Sequence, residues 1–232
     1  MNSPQLDLNN IAIDTWKQFT SKIRSKGCNL LKTLDEFQGA VLVTGCQRSG
    51  TTMLARIITQ SDGMTNYWVG SDDELDAALI LAGVNPHLSS GRYCFQTTYV
   101  DECYREYFEH KGDYKIIWVL RNPFSVVYSL LYNWAPSALD GTFSKCAAQG
   151  LKGFDARLYK LIGHKSISRA RRACELYKAK TLQLFELLDT FGTEKVFIVD
   201  YDELVLHKEI VLPKIFQYIN LECNPLYLLG FK

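Results

Sequence analysis

Hydrophobic positions along the chain follow two periods in alternation. Residues 40–45, Ala-Val-Leu-Val-Thr-Gly, are almost continuously apolar, as a strand covered on both faces would be. Met53, Leu54, Ile57 and Ile58 then recur at three- and four-residue spacing, the apolar side of a helix. Further runs at 65–69, 92–97, 115–121 and 195–200 predict strands. Between them, helical patterning is predicted at about 72–82, at 99–112 with Gly112 closing it, and from Asn122-Pro123 onward, with Asn122 as N-cap. A long helix over 166–191 turns Ala170, Cys174, Tyr177, Leu184, Leu188 and Phe191 inward, and a last helix covers 208–220 with Pro213 near its start or at a kink. Five strands interleaved with helices predict an α/β fold: one doubly wound domain over 1–232 with a central parallel sheet. Residues 1–35 read as a helical extension, with Trp16, Phe19 and Ile23 spaced to pack or to dimerise. Residues 134–165 resist assignment; their Trp134, Phe143, Phe154 and Tyr159 suit either a pocket or a small core.

Charge and cysteine content narrow the classes. A net charge of +1 gives no bulk attraction to nucleic acid or to an anionic membrane, so any anion site must be a local arrangement of donors. No run approaches the ~18 apolar residues of a membrane span, and the first ten residues lack a signal peptide's apolar stretch. The seven cysteines show neither C-x-x-C nor zinc-ligand spacing. Their expected state is reduced and mostly in the core, in a cytoplasmic protein.

The chemistry concentrates after the first strand. Gly45-Cys46-Gln47-Arg48-Ser49-Gly50-Thr51-Thr52 has the outline of a phosphate-binding loop, G-x-x-x-x-G-K-[ST], but Thr51 stands where the lysine belongs. A glycine-rich turn opening a helix aims backbone N–H groups and the helix dipole at one anion. The hydroxyls of Ser49, Thr51 and Thr52 add donors, and the cation has moved to Arg48, inside the turn. A second cluster lies in Val-Leu-Arg-Asn-Pro, 119–123. Arg121 closes a strand, where open α/β sheets bind ligands, and Ser129 shares a polar helical stripe with Asn122, Ser125 and Asn133. Arg169, Arg171 and Arg172 offer either an anion-attracting patch or a solvated helix face.

Together these motifs resemble the sulfotransferases that use 3′-phosphoadenosine 5′-phosphosulfate, whose phosphosulfate loop reads P-[KR]-S-G-[TS]-[TS]. Gln47 replaces the usual proline. The resemblance implies that Gln47, Arg48, Ser49, Gly50, Thr51 and Thr52 hold the 5′-phosphosulfate, that Arg121 and Ser129 hold the 3′-phosphate, and that Tyr201 lies near the adenine. The donor would leave as adenosine 3′,5′-bisphosphate, with no metal required. Cytosolic members place their histidine base in a Lys-Thr-His sequence, but the matching residues 94–99 contain none; His87 is the one substitute considered. Tyrosylprotein-type and several bacterial members use a carboxylate after the first helix, and Glu74 matches it best, with Asp72 and Asp73 as neighbours left open.

The acceptor, a hydroxyl or amine compound of unidentified class, would sit beside 134–165; nucleic acid and integral membrane contacts are not expected, and a homodimer is left open. Two other classes remain open. Asp200, ending an apolar strand, suits the metal-binding acid of a kinase or nucleotide triphosphatase. The last residues, lacking the Arg-Lys-Gly segment with which cytosolic members hold the 3′-phosphate, leave room for a non-catalytic nucleotide-binding module.

Overall fold

The apolar run at 40–45 forms β1 (Ala40–Gly45), an interior strand of a parallel sheet ordered β2-β1-β3-β4, with β2 (Cys94–Gln96), β3 (Tyr114–Leu120) and β4 (Val196–Asp200). The computed structural model describes residues 13–70, 72–86 and 90–224. Leaving β1, the chain builds one edge with β2 and returns to the other flank of β1 for β3. The carboxyl ends of β1 and β3 therefore flank the topological switch point, the crevice where such sheets bind ligands.

Helices cover both faces. In chain order they are α1 (Trp16–Lys22), α2 (Thr51–Thr59), α3 (Asp73–Leu81), α4 (Pro123–Tyr132), α5 (Pro136–Cys146), α6 (Gly153–Ile162), α7 (Arg169–Lys195), α8 (Tyr201–Leu206) and α9 (Lys208–Tyr218). Val41 and Val43 of β1 pack with α2 and α9, whereas Ala40 and Leu42 pack with α3 and the N-terminal segment. Burial on both sides explains why β1 shows no alternation. No helix among the described residues is long and apolar enough to cross a membrane.

The expected strand at 65–69 is absent, because its amides are engaged by side chains. Trp68 N–H donates to Asn66 Oδ1 at 2.9 Å, and Val69 and Gly70 N–H both donate to Asp76 Oδ2 at 2.9 Å. The helix expected over 99–112 is instead a series of 3₁₀ turns, Thr98–Phe108, broken at Asp101 with φ 49° and ψ −115°. In α7 the inward face differs from the expected one. Ala173, Leu176, Lys180, Gln183, Leu184 and Leu187 are buried, while Cys174 and Ala170 are exposed. A lysine at the centre of the buried stripe hides it from hydrophobic periodicity. Lys180 is 3% exposed, and its Nζ lies 2.9 Å from Asp101 Oδ1 and 3.2 Å from the Thr98 carbonyl. Burial alone would raise the Asp101 pKa, but Lys180 and Arg24 outweigh it and hold the carboxyl below its usual range.

The N-terminal helix packs onto the domain. Thr15 and Gln18 form a capping box, Phe19 is fully buried, and Trp16 Nε1–H donates to Asp72 Oδ2 at 2.8 Å. The seven cysteines are not all thiols: Cys28 and Cys103 form a disulfide across a sequence separation of 75, which ties the chain after α1 to the 3₁₀ segment. Their spacing gives no hint of this, because only the folded path brings them together. Cys46, Cys94 and Cys146 are buried thiols as expected, while Cys174 is exposed.

Removing one partner of a buried ion pair leaves an uncompensated charge, so Lys180→Met should cost about 3–5 kcal/mol. Urea denaturation should show a lower midpoint. Adding Asp101→Asn, which removes the stranded charge and suits the left-handed backbone, should recover part of the loss. An unchanged midpoint in Lys180→Met would contradict this account.

Candidate active site

Backbone conformation shapes the loop between β1 and α2. A Cβ at Gly45, φ 150°, would lie 2.6 Å from the Val119 carbonyl oxygen, so only glycine lets β1 end this close to β3. At Gly50, φ 97°, a Cβ would lie 2.1 Å from the Tyr201 ring, which packs directly on the loop. Gly50 is also the N-cap of α2 and has no side chain to satisfy the first-turn amides. Ser49 Oγ is buried without a hydrogen-bond partner among the described residues. Uncapped amides and an unpaired hydroxyl in one turn fit an oxyanion.

The two motifs read from the sequence brace each other. Arg48 adopts a left-handed backbone, φ 73°, and its carbonyl accepts a hydrogen bond from Arg121 Nη1 at 3.2 Å. In return, Arg48 Nε donates to Ser129 Oγ on α4 at 3.1 Å. Arg121 also lies over the Tyr201 ring, 4.7 Å from its centroid, and its own carbonyl accepts from Tyr177 Oη at 2.9 Å. Arg121 Nε is buried and unpartnered among the described residues, a donor left for a ligand. Arg48, Arg121, Ser129 and Tyr201 thus converge at the switch point.

The three neighbouring acids separate by geometry. Asp72 is the N-cap of α3, its Oδ1 accepting from Glu74 and Leu75 N–H at 3.1 Å each. Asp73 forms a two-pronged ion pair with Arg56, at 2.7 and 3.2 Å. Glu74 turns into a cavity of about 1000 Å³ that Arg48, Thr51, Thr52 and the capping Asp72 also line. Its Oε1 accepts from the Thr98 hydroxyl and from Tyr99 N–H at 2.9 Å, and its Oε2 from Gln96 Nε2 at 3.1 Å. Desolvation outweighs these hydrogen bonds, and Asp72 and Asp101 add repulsion, so the Glu74 pKa is pushed up to about 8. His87 lies outside the described residues, as does the C-terminal segment from 225 onward.

Sequence reasoning missed the frame around Glu74. Gln96 Nε2 donates to both Glu74 and Thr51 Oγ1, at 3.1 and 3.3 Å, linking acid to loop. Gln47 donates to Asp101 Oδ1 at 2.8 Å and to the Thr98 carbonyl at 3.1 Å. The signal available was a polar Gln-Thr-Thr at a strand's carboxyl end. Nothing in the pattern of α1, of the turn after it or of α5 marks Trp16, Arg24 and Lys145 as lining the same cavity. Of the four aromatics of 134–165, Trp134 alone lines it; Phe143 is in the core and Phe154 is exposed. Arg171 and Arg172 are engaged by Asp155 and Asp140, at 2.7 and 3.0 Å. Asp200 is the N-cap of α8, Oδ1 accepting from Asp202 and Glu203 N–H at 2.8 and 3.1 Å, which accounts for an acid at that strand end.

No protein-family model and no curated protein sequence matches the chain. Solved structures do. The sulfotransferase domain from the curacin biosynthetic pathway superposes with a TM-score of 0.57 at 15% identity, over 84% of this chain and 78% of that one. The sulfotransferase domain of a Synechococcus olefin synthase gives 0.54 at 12% identity, over 83% and 77%. A sulfotransferase from Mycobacterium tuberculosis gives 0.51 at 10% identity, over 93% and 74%. Identity this low speaks for architecture alone, and on that ground the chain has the sulfotransferase fold.

Proposed function

We propose that the protein transfers a sulfuryl group from 3′-phosphoadenosine 5′-phosphosulfate to a hydroxyl or amine of an acceptor. The observation that carries this reading is that the loop's Arg48, Thr51 and Thr52 share one cavity with Glu74, while Arg121 and Ser129 each hydrogen-bond to Arg48. The donor supplies an activated sulfur–oxygen bond when bound. Ser49, Thr51, Thr52 and the amides of the loop would hold its 5′ end, and Arg121 and Ser129 its 3′-phosphate.

The chain's own contribution is positioning and charge. Arg48 stabilises negative charge developing on the phosphate oxygen as the sulfur–oxygen bond breaks. Glu74, held by Thr98, Tyr99 and Gln96, takes the proton of the acceptor hydroxyl as its oxygen bonds to sulfur. The proton ends on Glu74, and the electron pair of the broken bond leaves with the nucleotide phosphate. Poor solvation makes the Glu74 carboxylate a stronger base than a surface glutamate, at the cost of a smaller ionised fraction at neutral pH. A cytoplasmic site of action would leave Cys28 and Cys103 as two thiols, whereas an oxidising compartment would preserve their bond.

Titration calorimetry with adenosine 3′,5′-bisphosphate in the absence of metal should give a binding isotherm, and ATP with magnesium should bind more weakly. Arg121→Ala should weaken the bisphosphate by roughly 10- to 100-fold, the range for a charge-assisted phosphate contact. Preference for ATP would sink the proposal. Labelled-sulfate transfer to a panel of alcohols, phenols and amines separates an enzyme from a binding module.

Glu74 makes a pH prediction with two signs. A general base acts ionised, so kcat/KM should rise as pH increases through about 8. Stability should run the other way. The folded pKa is raised above the ordinary 4.5, so the contribution of the protonated carboxyl is lost as pH climbs from 4.5 through about 8. Glu74→Gln should lower kcat by roughly 10²- to 10⁴-fold, keep bisphosphate affinity, and remove this part of the stability loss. Full turnover in Glu74→Gln would exclude it as the base.

A further inference from the structure

Beyond Glu74 the cavity runs between α1 and α5, and there its wall carries charge that the chain does not balance. Three cations, Arg24, Lys145 and Lys180, interact with two carboxylates, Asp101 and Glu102. Lys180 contacts Asp101 at 2.9 Å, and Arg24 contacts Glu102 at 2.8 Å and Asp101 at 3.6 Å. Lys145, from α5, has no ion-pair or hydrogen-bond partner among the described residues. It is half-buried and lines the cavity. Burial and the neighbouring Arg24 pull its pKa below the ordinary lysine value, outweighing the opposite pull of Asp101 and Glu102.

A half-buried ammonium beside a second cation is an unfavourable arrangement in a free protein, and an anion from solution would relieve it. The donor's anionic groups already have a place in the loop and at Arg121. The surplus charge at Lys145 is therefore available to the second substrate. Trp16 and Trp134 line the same cavity and add apolar surface for the body of a ligand.

We propose that the acceptor is an anionic hydroxy compound, and that Lys145 binds its carboxylate while its hydroxyl is presented to Glu74. This rests on the reading of Glu74 as the base. Lys145 selects the acceptor, and truncating it removes the selection without disturbing the donor site.

The test uses matched acid and neutral probes: 4-hydroxyphenylacetate against 4-hydroxyphenylacetamide, and methyl glucuronide against methyl glucoside. Each is titrated into the protein with and without adenosine 3′,5′-bisphosphate. In at least one pair the acid should bind about tenfold or more tighter, the scale of one charge-assisted hydrogen bond. Lys145→Met should abolish that preference, Lys145→Arg should keep most of it, and both variants should bind the bisphosphate within about twofold of wild type. Three results overturn the inference: no preference for the acid in either pair, including no binding; a preference that survives Lys145→Met; or weaker bisphosphate binding in Lys145→Met, which would put the lysine on the donor. A protein that binds no bisphosphate yet shows the Lys145-dependent preference would refute the donor assignment alone.

Discussion

The Asp101 carboxylate organises this site from beneath. It is 5% exposed, and it receives Lys180 from α7, Gln47 from the loop between β1 and α2 and Arg24 from the segment after α1. Three stretches of chain distant in sequence meet on one group. A buried carboxylate held this way is a poor source of net stability, since desolvation takes back most of the Coulombic gain. Its contribution is geometric, because separating Asp101 from Lys180 and Arg24 would strand buried charges. Around it, Thr98 and Tyr99 are fixed, and they in turn fix Glu74.

The loop and Glu74 are consequently one assembly. Gln96 donates to Thr51 on one side and to Glu74 on the other, and Gln47 anchors the loop to the segment that holds Glu74. A proline at position 47 would stiffen the turn by its ring. Glutamine reaches a comparable end through two side-chain hydrogen bonds, which is a different physical route to a rigid loop. Residues 94–99 cradle the Glu74 carboxylate through Gln96, Thr98 and Tyr99.

Much of this was legible in the sequence wherever one residue type answers one local demand. The unbroken run at 40–45, the glycines of the loop, Asn122 before Pro123, and Arg121 at a strand end all sit where their chemistry predicts. The illegible part lies in long-range polar contacts. Lys180 belongs to the inward face of α7 only because Asp101 waits there, and Asp101 can wait there only by breaking the helix that periodicity predicts over 99–112. Each violates a local rule, and the two violations compensate each other in space. Cys28 and Cys103 were opaque for the same reason, and residues 65–69 lost their strand to Asn66 and Asp76, two acceptors that a hydrophobicity pattern does not register.

The backbone of Asp101 narrows what sequences can build this site. At φ 49° the position favours glycine, asparagine or aspartate, and the buried Lys180 opposite calls for a negative charge, so aspartate alone satisfies both. Relatives too diverged for overall identity to register would then be traceable by a sparse signature: an aspartate soon after the second strand, a lysine amid the apolar face of the long helix, and a hydrogen-bonding residue in place of the loop proline. Such a signature follows an electrostatic constraint, and it would survive drift that erases the hydrophobic pattern around it.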